Sequence, residues 1–197
     1  MKNYSYIIAG LPDIVLDYGN RPLDYEALTG FIRSQCSDSD CRLIDILEAG
    51  LDGRHFTDHF YGLVERSGSR FLKEFFRFDR NVREAKVAFL EGRRLESDFA
   101  DSPDYGRTTE AFEETNLIER EMKIDAMMWD KAEEITTFDL LDMDIILSFL
   151  CRAHIVRRWN ALDPEVGKEL FSRLVGEVRN TFKGVEYNPD QSESNNQ

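Results

Sequence analysis

Cys36, Cys41, His55 and His59 are the residues whose types and spacing come nearest to a chemical site. Their C-x4-C, thirteen-residue gap and H-x3-H approach the ligand spacing of a zinc finger with two cysteines and two histidines. Such a finger needs a hairpin between its cysteines, whereas Ser37 to Asp40 reads as a helix cap and the following RLIDIL as helix. Ordinary packing and loop roles for these four residues therefore stand beside the metal reading. Phe56 follows His55, so the H-E-x-x-H metalloprotease pattern is absent. The carboxylates Glu110, Glu113, Glu114, Glu119, Glu121 and Asp125 invite comparison with a di-iron bundle, but the Glu-x-x-His pairs of such sites are missing. A solvated helix face is the simpler account. Ser67-Gly68-Ser69 is no G-x-S-x-G elbow, and no glycine-rich phosphate loop occurs. No catalytic residue, bound metal or cofactor is expected, and the chain does not read as an enzyme.

Arginines offer a different kind of site. His154 lies among Arg152, Arg157 and Arg158, and Arg93-Arg94 closes an earlier helical stretch. Cations at a helix C-terminus are favoured by the macrodipole by about 0.3 to 1 kcal/mol each. The same five arginines, Arg93, Arg94, Arg152, Arg157 and Arg158, are the candidates for a partner-facing basic surface. They stand out because the chain is acidic: 25 Lys and Arg against 38 Asp and Glu leave a formal charge of −13 over 197 residues. That excess repels phosphate backbones and anionic lipid heads, so neither nucleic acid nor direct membrane insertion is expected. Three scattered cysteines suggest no disulfide framework, and the run Ile145 to Cys151 is far short of the roughly 18 apolar residues of a membrane span. A cytoplasmic location follows as the expectation.

The elements that must position these residues are helical. Gly10, Pro12, Gly19 and Pro22 break the opening into turn-rich chain with room for one short N-terminal strand. Phe71, Phe75, Phe78, Val82, Ala85 and Phe89 then form one stripe, predicting a long helix from Ser69 to about Leu95. Asp98 to Arg107 reads as a linker, and a second long helix is predicted from about Glu110 to Glu134. Thr137 is the expected cap of a third, central and buried helix carrying Leu140, Leu141, Ile145 to Leu147, Phe149 and Leu150. Asp163-Pro164 starts a last amphipathic helix with Val166, Leu170, Leu174, Val178 and Phe182 at every fourth residue.

The expected fold is thus all-α: a multi-helix bundle of two related helical halves. Residues 1–97 would form the first half, 98–108 the linker, 109–185 the second half and 186–197 a disordered tail. A weak internal match supports related halves: at an offset of 63, Asp79, Asn81, Val82, Val87 and Arg94 face Asp142, Asp144, Ile145, Leu150 and Arg157.

Three stretches together resemble a known group: NYSYIIAGLPDIVLDYGNRPL, FFRFDRNVREAKVAFLEGRR and FDLLDMDIILSFLCRAHIVRRWNALDPEVGKELF. They are similar to a bacterial family of uncharacterised proteins encoded among vacuolar/archaeal-type (V/A-type) ATPase subunits. More distantly they resemble the C-type (or d-type) stalk protein of those rotary enzymes. The distant likeness rests on Tyr4 and Tyr6, on Asp79 with Asn81, and on Asp142 with Asp144 leading to Arg152. The resemblance implies an all-helical, non-catalytic adaptor between the central stalk and the membrane rotor ring of a proton- or sodium-translocating ATPase. Those central-stalk and rotor-ring subunits would be its partners, and the complex would hold it at the membrane. This chain is much shorter than the C-type stalk protein, which suits a reduced version or an accessory subunit. The alternatives are a free-standing acidic helical interaction protein, or a metal protein using Cys36, Cys41, His55 and His59.

Overall fold

The computed structural model describes residues 4–19, 23–53, 56–162 and 164–182, and within these every regular element is helical. Packing divides the chain into two compact units, Met1–Asn160 and Ala161–Gln197. The first holds α1 (Tyr4–Ala9), α2 (Tyr25–Gln35), α3 (Asp38–Leu51), α4 (Asp58–Arg66), α5 (Arg70–Leu90), α6 (Pro103–Glu113), α7 (Leu117–Thr136) and α8 (Met143–Asn160). The second holds α9 (Pro164–Phe182). The tail expected over 186–197 lies outside the described residues.

Local chemistry sets most of the starts. Side chains of Asp24, Ser37, Thr57, Ser69, Ser102 and Asn116 accept hydrogen bonds from the otherwise unpaired backbone N–H groups that open their helices. Ser37 and Asp40 form a reciprocal capping box. The start of α5 is reinforced from a distance: the Ser69 hydroxyl donates to Asp144 Oδ1 at 2.6 Å, and Asp144 Oδ2 accepts the Phe71 N–H at 3.1 Å. A carboxylate of α8 thus sits on the positive end of α5.

The expected N-terminal strand is instead α1. A lone strand in a helical protein has no ladder partner for its backbone groups, whereas a helix satisfies them locally. Ile7 is completely buried in the main core, and the Tyr4 hydroxyl donates to Asp40 at 2.9 Å. The segment expected as a linker, 98–108, is also folded. Asp98–Asp101 forms a 3-10 turn, and Ser102 caps α6 with proline at its first position, so the Ser-Pro pair starts a helix rather than a loose connection. Phe99 anchors the turn, its ring 6.0 Å from Phe78 and 6.0 Å from Tyr105. The helix predicted over 110–134 is split at Glu114–Asn116, where Asn116 caps α7.

The third helix starts later than its apolar pattern suggests. Thr137 closes α7, and α8 begins only at Met143, with the Asp142 carboxylate accepting from the Ile145 N–H at 3.2 Å. Leu140 and Leu141, expected in the buried helix, are 87% and 54% exposed in the intervening turn, and Phe138 beside them is 94% exposed. Leu141 there has φ +52°, a left-handed value that cannot continue a helix. Beyond the turn α8 is the central helix, burying Ile146, Leu147, Phe149, Leu150, Cys151 and Ala153 and contacting α1, α2, α3, α5 and α7.

Phe71, Leu72, Phe75 and Phe76 of α5 meet Ile146, Leu147 and Leu150 of α8 in the main core, with Ile32, Ile44 and Leu47 from α2 and α3. Further along α5, Phe78, Val82, Ala85 and Ala88 pack with Phe99, Phe112 and Met127 in a second cluster. The offset-63 pairs occupy different places in their helices, since Asp79 lies ten residues into α5 while Asp142 precedes α8. No helix among the described residues is long and apolar enough to cross a membrane.

Candidate functional site

Where α3, α5, α6, α7 and α8 converge they leave a cleft of about 270 Å³. Its floor is apolar: Phe75 and Phe76 from α5, Met128 from α7, Cys151 and Ile155 from α8. Gly50 of α3 completes the wall, because a Cβ there would stand 2.2 Å from the Phe76 ring and 2.8 Å from Phe60. Around this floor α5 contributes Asp79, Arg83 and Lys86, α7 contributes Glu121 and Asp125, and α8 contributes His154 and Arg158. Clefts between bundle helices with an apolar floor and a few convergent polar groups are where small-molecule sites form.

Two carboxylates are the buried charges of this cleft. Asp79, with its side chain 14% exposed, accepts from Arg83 Nε at 2.8 Å one helical turn on, and the Arg83 guanidinium lies 3.9 Å from the centre of the Phe56 ring. Asp125, at 9%, is bound through Oδ2 by Arg158 Nη2 and by Trp159 Nε1, the latter at 2.6 Å. Arg158 also reaches Glu121 at 3.3 Å. Tyr18, from the segment that precedes α2, packs its ring edgewise 5.0 Å from Trp159 and donates its hydroxyl to the Met122 carbonyl at 2.7 Å.

Burial holds the Asp79 carboxyl above its usual range, with Arg83 opposing the rise. Asp125 is raised for the same reason against Arg158 and Trp159. Burial, with Arg157 and Arg158 nearby, pulls His154 down, so its imidazole is neutral at pH 7; its ring stands edge-on to Tyr25 at 6.0 Å. Burial pushes the Cys151 thiol up, leaving it protonated and a poor nucleophile.

A folded-state carboxyl pKa above its unfolded value makes a stability contribution that is fully present below the unfolded pKa. That contribution is lost as pH rises through the folded one. Asp79→Asn keeps the shape and removes the titration, so this variant is expected to be at least as stable as the parent at neutral pH. Its advantage should shrink as pH falls to about 4, where the unfolded Asp also protonates. Urea unfolding at a series of pH values reads this directly; an advantage that grows toward acid would reverse the assignment.

The five arginines expected at a partner surface all carry acidic partners within the chain. Arg93 pairs with Glu91 at 2.5 Å, and Arg94 reaches Asp101 at 3.8 Å. Arg152 pairs with Glu133 at 2.7 Å and lies 5.3 Å from the Trp129 ring centre, while Arg157 pairs with Glu26 at 2.7 Å and covers Tyr25 at 5.0 Å. Arg158 belongs to the cleft. The four metal-spaced residues come out differently. Cys41 donates to the Arg33 carbonyl at 3.7 Å, Cys36 follows the end of α2, His59 lies in the first turn of α4, and His55 is outside the described residues. Among the described residues no three His, Cys, Asp or Glu side chains gather as a metal site.

Sequence reading missed Asp79, Arg83 and Lys86 as a set. The available signal is that they repeat at i, i+4 and i+7, marking a charged strip along a helix whose apolar stripe is phenylalanine-rich.

Against known proteins, residues 102–182 match a family model described as "Protein of unknown function (DUF2764)". The matched span opens at the cap of α6 and ends with α9. It therefore includes the cleft residues Asp125, Cys151, His154 and Arg158, and not those of α5. No curated protein and no solved structure matches the chain.

Proposed function

We propose that this chain is a non-catalytic helical adaptor or accessory subunit of a V/A-type proton- or sodium-translocating ATPase. In this reading it resembles the C-type stalk protein, acts between the central stalk and the membrane rotor ring, and resides in the cytoplasm at the membrane through that complex. The observation that carries the reading is the convergence of the three stretches that bear the resemblance: α1 from the opening, α5 and α8 pack into one core. Such a part must be stiff rather than chemically activated. Phenylalanines stacked along α5 against the aliphatic face of α8 supply close-packed stiffness of this kind.

Isolation of the ATPase from native membranes tests the reading. Recovery of the intact complex without this chain would sink it, and a pull-down returning only other partners would favour a free-standing interaction protein. Arg157 is the cleanest surface probe, being half-exposed, with the exposed Glu26 as its ion-pair partner among the described residues and its guanidinium over the Tyr25 ring. Arg157→Glu is expected to lower recovery with the complex several-fold while thermal unfolding stays within about 1 kcal/mol of the parent. Unchanged recovery would return Arg157 to the role of a helix-end cation. Arg158→Glu would not serve, because it would set a carboxylate against Asp125.

A further inference from the structure

The central cleft has a charge arrangement that the adaptor reading does not use. Its lining carries three acids, Asp79, Glu121 and Asp125, and three Lys or Arg side chains, Arg83, Lys86 and Arg158, over an apolar floor. Asp125 and Arg158 satisfy each other. The strip on α5 is different. Asp79 uses Oδ2 for Arg83, and no described group hydrogen-bonds its Oδ1. Arg83 spends only Nε on Asp79, and its guanidinium lies over the Phe56 ring, so its two terminal amino groups have no hydrogen-bond or ion-pair partner among the described residues. Lys86 makes no ion pair with any described residue. One acceptor, on Asp79, and the donors of two side chains, Arg83 and Lys86, therefore have no hydrogen-bond partner among the described residues along one helix face.

We propose that this cleft binds a small zwitterion with an apolar body, of the chemistry of an apolar α-amino acid. The ammonium group is taken by Asp79 Oδ1, the carboxylate by Arg83 and Lys86, and the side chain enters the floor of Phe75, Phe76 and Met128. The spacing suits such a molecule. Seven residues set Asp79 and Lys86 about 10 Å apart along the axis of α5. The Lys86 stem slants back toward the helix N-terminus, with Arg83 between the two. A simple cation would meet three fixed positive charges, and a simple anion would meet three carboxylates. A wholly apolar ligand would strip water from Asp79 without replacing it. A volume of about 270 Å³ sits just below the usual range for drug-sized ligands, which calls for a small molecule. Burial holds Asp79 above its usual range even with Arg83 attached, so a second cationic partner at Oδ1 is favourable. This inference stands independently of the ATPase reading.

Calorimetric and NMR titration of the full chain with L-leucine and L-phenylalanine tests the site. Two half-molecules serve as controls: 4-methylpentanoate, which lacks the amine, and 3-methylbutylamine, which lacks the carboxylate. Saturable binding of at least one amino acid is expected, with both half-molecules weaker by tenfold or more. Asp79→Asn and Lys86→Met should each weaken binding by about tenfold, equivalent to about 1.4 kcal/mol. Lys86 is exposed on the rim, so its variant decides the matter even if the Asp79 change disturbs folding. Three results would overturn the site: no saturable binding of either amino acid, half-molecules binding as tightly as the zwitterion, or a folded Lys86→Met chain binding as the parent does.

Discussion

Truncating Phe75 to alanine is expected to remove about 3–5 kcal/mol of unfolding free energy. The ring is 1% exposed. It is stacked on Phe71 at 5.4 Å with 13° between the planes, and meets Phe76 edgewise at 5.5 Å. Its loss forfeits the transfer free energy of a benzyl group and both ring contacts. The space left behind opens into the existing cleft, which Phe75 already lines, so neighbouring side chains have little to collapse onto. Since domains of this size are stable by about 5–15 kcal/mol, the variant would retain only part of its margin. Urea unfolding with tryptophan fluorescence measures it, and a change below about 1 kcal/mol would mean that the α5–α8 core is not packed as described.

The second large effect comes from adding one methyl group. Gly50→Ala places a carbon 2.2 and 2.3 Å from Phe76 and 2.8 Å from Phe60, and both rings are buried and hold each other edge-to-face at 5.0 Å. Overpacking of this kind costs about 1–3 kcal/mol and sometimes more. The better helix propensity of alanine returns about 1 kcal/mol. With a contact as short as 2.2 Å the cost lies at the upper end of that range, so a net loss of up to about 2 kcal/mol is expected, lowering Tm by up to roughly 4–8 °C for a chain of this length. Gly30→Ala in α2 is the control. A Cβ there meets nothing within 4 Å, so the propensity gain should appear alone, as a stabilisation of up to about 1 kcal/mol. Equal responses at the two glycines would show that α3 does not approach α5 closely at Gly50.

These two positions also show what periodicity can and cannot report. Phe75 is legible as core because it repeats with Phe71, Phe78 and Val82 on one helical face. Gly50 is not, because nothing in its neighbourhood says that Phe76, 26 positions later, will lie against it. The turn before α8 errs in the opposite direction. Leu140 and Leu141 extend the apolar run of α8, yet Asp142 caps the helix behind them, and both side chains are exposed. Cap chemistry, a local hydrogen bond, overrode hydrophobic continuity there. The stretch 98–108 misleads for a related reason: Ser102-Pro103 has the composition of a linker and the hydrogen-bonding behaviour of a helix start.

The site illustrates the same division. The acidic run from Glu110 to Asp125 reads as a solvated face, which is right for most of it and wrong for Asp125, whose partners Arg158 and Trp159 lie 33 and 34 residues away. Arg158, singled out as a surface cation, is spent in that pair.

By itself, the amino-acid sequence determined the all-α class, the long α5, the central place of α8, and the cap at Ser37. It also determined an acidic surface with arginines near helix ends. Each follows from interactions within one or two helical turns, which a linear pattern records directly. Only the tertiary structure decided which carboxylates are buried, that Gly50 must lack a side chain, and that Asp79, Arg83 and Lys86 border one cleft with Phe76 and Met128. Those facts depend on helices brought together from distant parts of the chain. Electrostatic burial and steric closeness are properties of that assembly rather than of any single helix.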